Sequence, residues 1–396
     1  MAGLIFKVTL ELVDVIKKYH RFNVGPLSFK VSDDNILVII GPTGNGKTTI
    51  LNLIAGLIKP ESGNILLDGI DITNMSIESR NIGYSFQRPN LFPHLNVYQN
   101  IIFGIKKKDK KNKQSQIKNL VENLNISHLL ERRIQGLSGG EMQKVSLART
   151  LIVEPKIMLM DEPLSSLDDP SKKKLREEIR QILKKQKIPC IYVTHFEDDV
   201  YALADYVAIL KNGCIESIEK LETLLVQSNN IESSTSSFSS KVLGGGGGGG
   251  YNYIEGKVIE SKNGVTIIGF GSYIIEMLGE YGIGSTIGVL IKPEDIILST
   301  QLVKTSARNI IKTKVAKIKD INQISKKGVI EIYLSIEKDY HSDDNDNDKE
   351  NDNNKAIYYL VSRITKESRI YLGIEEGDYI FAMFKATSPQ VIREIK

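Results

Sequence analysis

The first chemistry lies in a glycine-rich run that holds one lysine. Ile36–Ile40 leads into Gly41, Pro42, Thr43, Gly44, Asn45, Gly46, Lys47, Thr48 and Thr49, the spacing G-x-x-x-x-G-K-[ST] of a loop that cradles phosphates. Glycines there let backbone N–H groups close around β- and γ-phosphate oxygens. Lys47 can reach the same oxygens as a point charge, and the Thr48 hydroxyl can ligate Mg2+. An apolar helix predicted over 50–58 turns its positive end toward the anion. Further on, the apolar run Ile157–Met160 ends in Asp161, Glu162 and Pro163. Asp161 suits a metal ligand, and Glu162 suits a base for an attacking water. Two carboxylates at a strand end mean little by themselves. Behind a phosphate loop they point to hydrolysis of a nucleoside triphosphate.

A third segment is Leu137, Ser138, Gly139, Gly140, Glu141, Met142 and Gln143, which opens a helix predicted over 141–151 and offers a second anion site at its N-terminus. With this segment the chain resembles the ATP-binding cassette (ABC) ATPases, over about residues 5–225. The resemblance implies ATP and Mg2+. It implies that Ser138, Gly139 and Gly140 close on the γ-phosphate held by a second copy, so that a homodimer sandwiches two ATPs. More residues follow from it by position. Gln87, after Tyr84-Ser85-Phe86, matches the loop glutamine that touches Mg2+ and faces a transmembrane partner. Ser165, Ser166, Leu167 and Asp168 match the loop that exchanges contacts across the dimer. His195, after Tyr192-Val193-Thr194, matches the switch histidine at the γ-phosphate. Tyr19 matches an aromatic that stacks on adenine, with Phe22 close by. Thr43, Asn45 and Lys144 depart from the commonest family residues, and none of these changes removes a catalytic group.

These residues need elements to position them. Ile36–Ile40, Ile157–Met160 and Cys190–Val193 read as buried strands, and Leu175, Ile179, Ile182 and Leu183 mark one face of a helix predicted over 171–187. Strands alternating with helices predict an α/β domain with a mainly parallel sheet. The resemblance makes it a phosphate-loop ABC nucleotide-binding domain with a helical subdomain, over 1–226. A Ser/Asn-rich stretch ending in Gly244–Gly250 makes 227–250 a flexible linker. Residues 251–396 hold short β-branched runs separated by glycines, with one short helix predicted over 365–372. They read as a small OB-like β-barrel domain. An Asp/Asn-rich stretch over 338–355 reads as a solvated acidic loop. Its run from Asp344 lacks the glycine and terminal glutamate of a calcium loop.

The nucleotide motifs are silent about cargo. Ser306-Ala307-Arg308-Asn309, Val315–Ile318, Ile364–Ser368 and Phe384-Lys385-Ala386-Thr387-Ser388 together resemble the molybdate-binding barrel of molybdate importer ATPases, and Lys292–Asp295 fits importer ATPases more broadly. A tetrahedral dianion needs cations plus neutral donors, and Ser306, Arg308, Lys385, Thr387 and Ser388 supply them. The resemblance therefore implies an importer of molybdate or tungstate. Membrane permease subunits and, indirectly, an extracytoplasmic binding protein would be its partners. The chain would sit on the cytoplasmic face of the membrane. Importers of sulfate, iron, sugars or polyamines carry similar barrels.

Composition narrows the classes. With 41% hydrophobic and 25% charged residues the chain is ordinary globular protein, not coiled coil or bulk disorder. No run reaches the roughly 18–20 apolar residues of a membrane span, and the N-terminus lacks the pattern of a signal peptide. Two cysteines exclude a disulfide scaffold and suit a reducing compartment. A net charge of +4 gives no argument for nucleic acid, and no helix-turn-helix pattern stands out.

Overall fold

Short apolar runs become central strands when both faces are covered. In the computed structural model, which describes residues 8–20, 22–32, 34–228, 251–271, 273–320, 328–337 and 357–395, that is the fate of three such runs. β3 (Ile36–Ile40) and β8 (Cys190–Thr194) are buried throughout, and β7 (Ile157–Asp161) is buried up to its last residue. They form a six-stranded sheet with β6 (Ile82–Ser85), β9 (Tyr206–Lys211) and β10 (Cys214–Lys220), in the order β10-β9-β3-β8-β7-β6. All neighbours are parallel except the edge strand β10.

A second, antiparallel sheet has the order β2-β1-β4-β5, from β1 (Val8–Tyr19), β2 (Phe22–Ser32), β4 (Ser62–Leu67) and β5 (Ile70–Asp71). The helix α1 (Lys47–Ala55) shares one core with both sheets. Ile50, Leu51, Leu53 and Ile54 pack there with Leu10, Val24, Ile39 and Val193, all fully buried. At roughly 1.5–3 kcal/mol for each large apolar side chain, this packing pins the helix that follows the phosphate loop. α1 begins three residues before the predicted start, because Gly46 enters it in the left-handed region (φ +94), and it ends at Gly56 (φ +83). Further helices are α2 (Val97–Ile101), α3 (Gln114–Asn123), α4 (Gly139–Leu151), α5 (Asp169–Gln186) and α6 (Glu197–Leu203). The starts of α4 and α5 also precede the prediction by two residues, because the side chains of Ser138 and Asp168 cap them.

The chain divides into two compact units, 1–221 and 222–396. A helix, Leu221–Ser228, runs into the stretch predicted as linker, and 229–250 lies outside the described residues, as does the acidic stretch 338–355. The second unit is β-rich as predicted, and its sheets curl around one core that includes Ile268, Ile275, Val289, Ile332 and Phe384. One sheet has the order β13-β12-β11-β14-β20, from β11 (Asn252–Lys262), β12 (Val265–Phe270), β13 (Tyr273–Leu278), β14 (Thr286–Ile291) and β20 (Gln390–Ile395). The other has β15-β19-β16-β17-β18, from β15 (Ile297–Ser299), β16 (Asn309–Asp320), β17 (Val329–Glu337), β18 (Ile357–Thr365) and β19 (Tyr379–Phe384). The predicted short helix is Lys366–Leu372, capped by Thr365.

Candidate active site

Four neighbouring strands of the parallel sheet, β3, β8, β7 and β6, end at the same edge. Ile40 pairs with Thr194, Val193 with Asp161, and Met160 with Ser85. The residues that follow are therefore brought together: the phosphate loop after β3, His195 after β8, Asp161 and Glu162 at the end of β7, and Gln87 after β6. Ligands of open parallel sheets bind outside these carboxyl ends.

Gly41 has no room for a side chain, since a Cβ there would stand 2.2 Å from the Leu210 carbonyl. At Gly46 a Cβ would meet Val24 at 2.6 Å and the Phe22 ring at 3.2 Å. Phe22 thus packs beneath the loop, while Tyr19, paired with it across the β1–β2 turn, stays 44% exposed and open to stacking. Lys47 is buried, and its Nζ donates to the carbonyl oxygens of Gly41 at 2.8 Å and Pro42 at 3.1 Å. Burial pushes its ammonium pKa down, against the charges of Glu162 and Asp161. Burial pushes the Asp161 carboxyl up, opposed by a hydrogen bond with Thr48. That bond sets two hard oxygen donors side by side, which is the chemistry a Mg2+ site needs.

Glu162 leaves the strand in the left-handed region (φ +44), an uncommon conformation for a residue with a side chain. Its N–H donates to the Val193 carbonyl at 2.9 Å, which fixes the turn against β8. Its Oε1 lies 3.0 Å from His195 Nδ1. The Gln87 amide donates to Ser165 Oγ at 3.2 Å, and that hydroxyl donates to the Glu162 carbonyl at 2.9 Å. One chain of contacts therefore runs from Gln87 through Ser165 and Glu162 to His195.

Ser138 and Asp168 sit apart from this group. Among the described residues no hydrogen bond links Ser138, Gly139 or Gly140 to Gly41–Thr49. The Ser138 N–H and hydroxyl both donate to Glu141, at 2.7 and 2.8 Å, and hold that carboxyl below its usual range. Asp168 caps α5 by accepting from the Ser171 N–H at 3.2 Å. A Cβ on Gly139 would lie 3.5 Å from Leu167, so the two loops are neighbours. Two features were missed in the sequence. Gln143 is buried and donates to Ser85 Oγ at 3.3 Å, tying α4 to β6. A buried group of Arg176, Tyr192, Thr194 and Asp199 stands behind His195.

In the second unit β16 pairs with β19 so that Asn309 faces Phe384, which makes Arg308 and Lys385 neighbours. The following turn closes through Ser388 N–H to the Lys385 carbonyl at 3.0 Å. A cleft of about 470 Å3 lies beside them. Of the five expected oxyanion donors only Arg308 lines it, with Lys262 as a second cation and Glu260 and Glu276 as carboxylates.

The family described as ABC transporter matches residues 24–165. The molybdate/tungstate import ATP-binding protein WtpC of Pyrococcus horikoshii is 35% identical over 384 residues, spanning 96% of this chain and 99% of that protein. The molybdenum import ATP-binding protein ModC of Pasteurella multocida is 31% identical over 367 residues, 89% of this chain and 92% of its own length. The Fe(3+) ions import ATP-binding protein FbpC of Vibrio cholerae is 33% identical over 305 residues, 76% and 83% of the two chains. Among solved structures, cbiO1 of Clostridium perfringens, part of the ABC transporter complex cbiONQ, superposes with a TM-score of 0.52 at 26% identity, covering 56% of this chain and 91% of that one.

Proposed function

The chain belongs to the ATP-hydrolysing subunits of ABC transporters, and from that premise we propose that it powers the import of molybdate and tungstate. The observation that carries the catalytic part is the convergence of Lys47, Asp161, Glu162, Gln87 and His195 at four adjacent strand ends. The triphosphate of ATP enters the loop and takes the Lys47 ammonium from the Gly41 and Pro42 carbonyls. Thr48, Asp161 and Gln87 would hold Mg2+, which supplies neutralising charge to the phosphates when bound. Glu162 takes the proton of the attacking water, and His195, 3.0 Å away, fixes its carboxylate. The Ser138 surface of a second copy covers the γ-phosphate, its donors exchanging Glu141 for a phosphate oxygen. Closure of two such copies drives permease subunits in the membrane, which an extracytoplasmic binding protein supplies with cargo. No described helix is long and apolar enough to cross a membrane. The likeness to import ATP-binding proteins supports a place on the cytoplasmic face, bound through the permease.

The cargo assignment rests on Arg308 lying next to Lys385 where β16 meets β19, in a chain that matches a molybdate/tungstate import protein over nearly its whole length. Calorimetry on the full chain should give heat with molybdate and tungstate and much less with sulfate. Arg308→Ala should weaken the two larger anions about tenfold or more, the cost of leaving an anion without one charged donor. Equal binding by the variant would move the oxyanion away from this turn. Absence of heat with either anion would favour the iron reading that the FbpC relative suggests.

A further inference from the structure

Asp199 is 1% exposed, and everything that holds it points at one turn. Its Oδ1 accepts from Arg176 Nε at 2.6 Å. Its Oδ2 accepts from the Thr194 hydroxyl at 2.6 Å and the Tyr192 hydroxyl at 3.2 Å. The Thr194 oxygen in turn accepts from the Phe196 N–H at 3.0 Å, and the Phe196 carbonyl accepts from the Asp199 N–H at 3.2 Å. The backbone on both sides of His195 is thus tied to one carboxylate. Lys172 adds a hold on Phe196, its ammonium standing 4.7 Å from the ring centroid. Lys172 and Arg176 both belong to α5, so the turn is fastened to the helix that Asp168 caps.

His195 needs such support. Its side chain is 41% exposed, and among the described residues its hydrogen bond is the one to Glu162. Its ring also rests against Phe196, with centroids 4.0 Å apart, so the rest of its orientation comes from Phe196 and from the backbone that carries both. We infer that Asp199, anchored by Arg176, is a positioning residue for His195, acting through the Thr194 hydroxyl. The inference rests on the reading of His195 as a participant in hydrolysis. A preorganised turn keeps the imidazole at bonding distance from Glu162 without a search at each turnover, and misplacement of such a group costs rate and not substrate affinity.

The test avoids breaking the buried ion pair, because Asp199→Asn could fail to fold. Thr194→Val removes only the hydroxyl and leaves Asp199 with Arg176 and Tyr192. Thr194→Ser restores the hydroxyl. In the full chain, Thr194→Val should lower kcat for ATP about tenfold with KM unchanged, and Thr194→Ser should recover most of it. The deciding comparison is a double-mutant cycle with His195→Ala. Once the imidazole is gone, adding Thr194→Val should cost nothing further. An impaired His195→Ala in which Thr194→Val still costs its full tenfold overturns the role of Asp199 and leaves His195 in the mechanism. So does Thr194→Val with wild-type kcat. A His195→Ala variant that hydrolyses ATP at the wild-type rate instead removes His195, and the inference with it.

Discussion

Lys47→Ala should reduce ATP hydrolysis by about a hundredfold or more, the usual effect of removing one fixed charge donor from a site of phosphoryl transfer. The position allows no substitute. Lys47 is 6% exposed at the base of the loop, and a water in its place would bring no positive charge to the β- and γ-phosphates. Without substrate its ammonium is held by the carbonyls of Gly41 and Pro42. Those oxygens lose a donor in the variant, which should cost about 1–3 kcal/mol of stability. A purified variant that stays folded and turns over ATP near the wild-type rate would place the nucleotide elsewhere.

Glu162→Gln should retain ATP binding and lose turnover by about a thousandfold, within the range for removal of a general base. The amide keeps the shape of the carboxylate and can still meet His195 Nδ1, so the loop should not rearrange. It cannot accept a proton from water. Two readouts separate this from misfolding: a thermal midpoint near wild type, and undiminished binding of a fluorescent ATP analogue. Weak analogue binding would mean that Glu162 serves the nucleotide and not the water.

Much of this site was legible because its motifs are local. Gly41–Thr49 and Ser138–Gln143 are contiguous, and each carries its own helix start. Asp161-Glu162 announces itself by ending an apolar run. The rest depends on placement that no local pattern encodes. Parallel pairing of β3, β8, β7 and β6 decides that His195 meets Glu162 across 33 residues and that Gln87 reaches it through Ser165, 78 residues on, which no local pattern of residues shows. The left-handed turn at Glu162 is set by its bond to Val193, not by its residue type. Arg176 did leave a signal: it lies one residue from Leu175 on the buried face of α5, and a cation there calls for a buried anion. In the second unit the residues of the turn at 385–388 were readable, but not the carboxylates of Glu260 and Glu276 that share the cleft with Arg308.

The account turns on a nucleotide held between two copies of the chain. The mass of Glu162→Gln in solution, measured by light scattering with and without ATP and Mg2+, addresses this directly. With hydrolysis blocked, ATP should shift the protein to about twice the 44.2 kDa of one chain, and ADP should not. The shift should vanish when Ser138→Arg is added, because the bulky cation obstructs the surface that closes on the γ-phosphate. A mass that ignores ATP, or a shift that survives Ser138→Arg, would contradict the sandwich and with it the way hydrolysis drives transport.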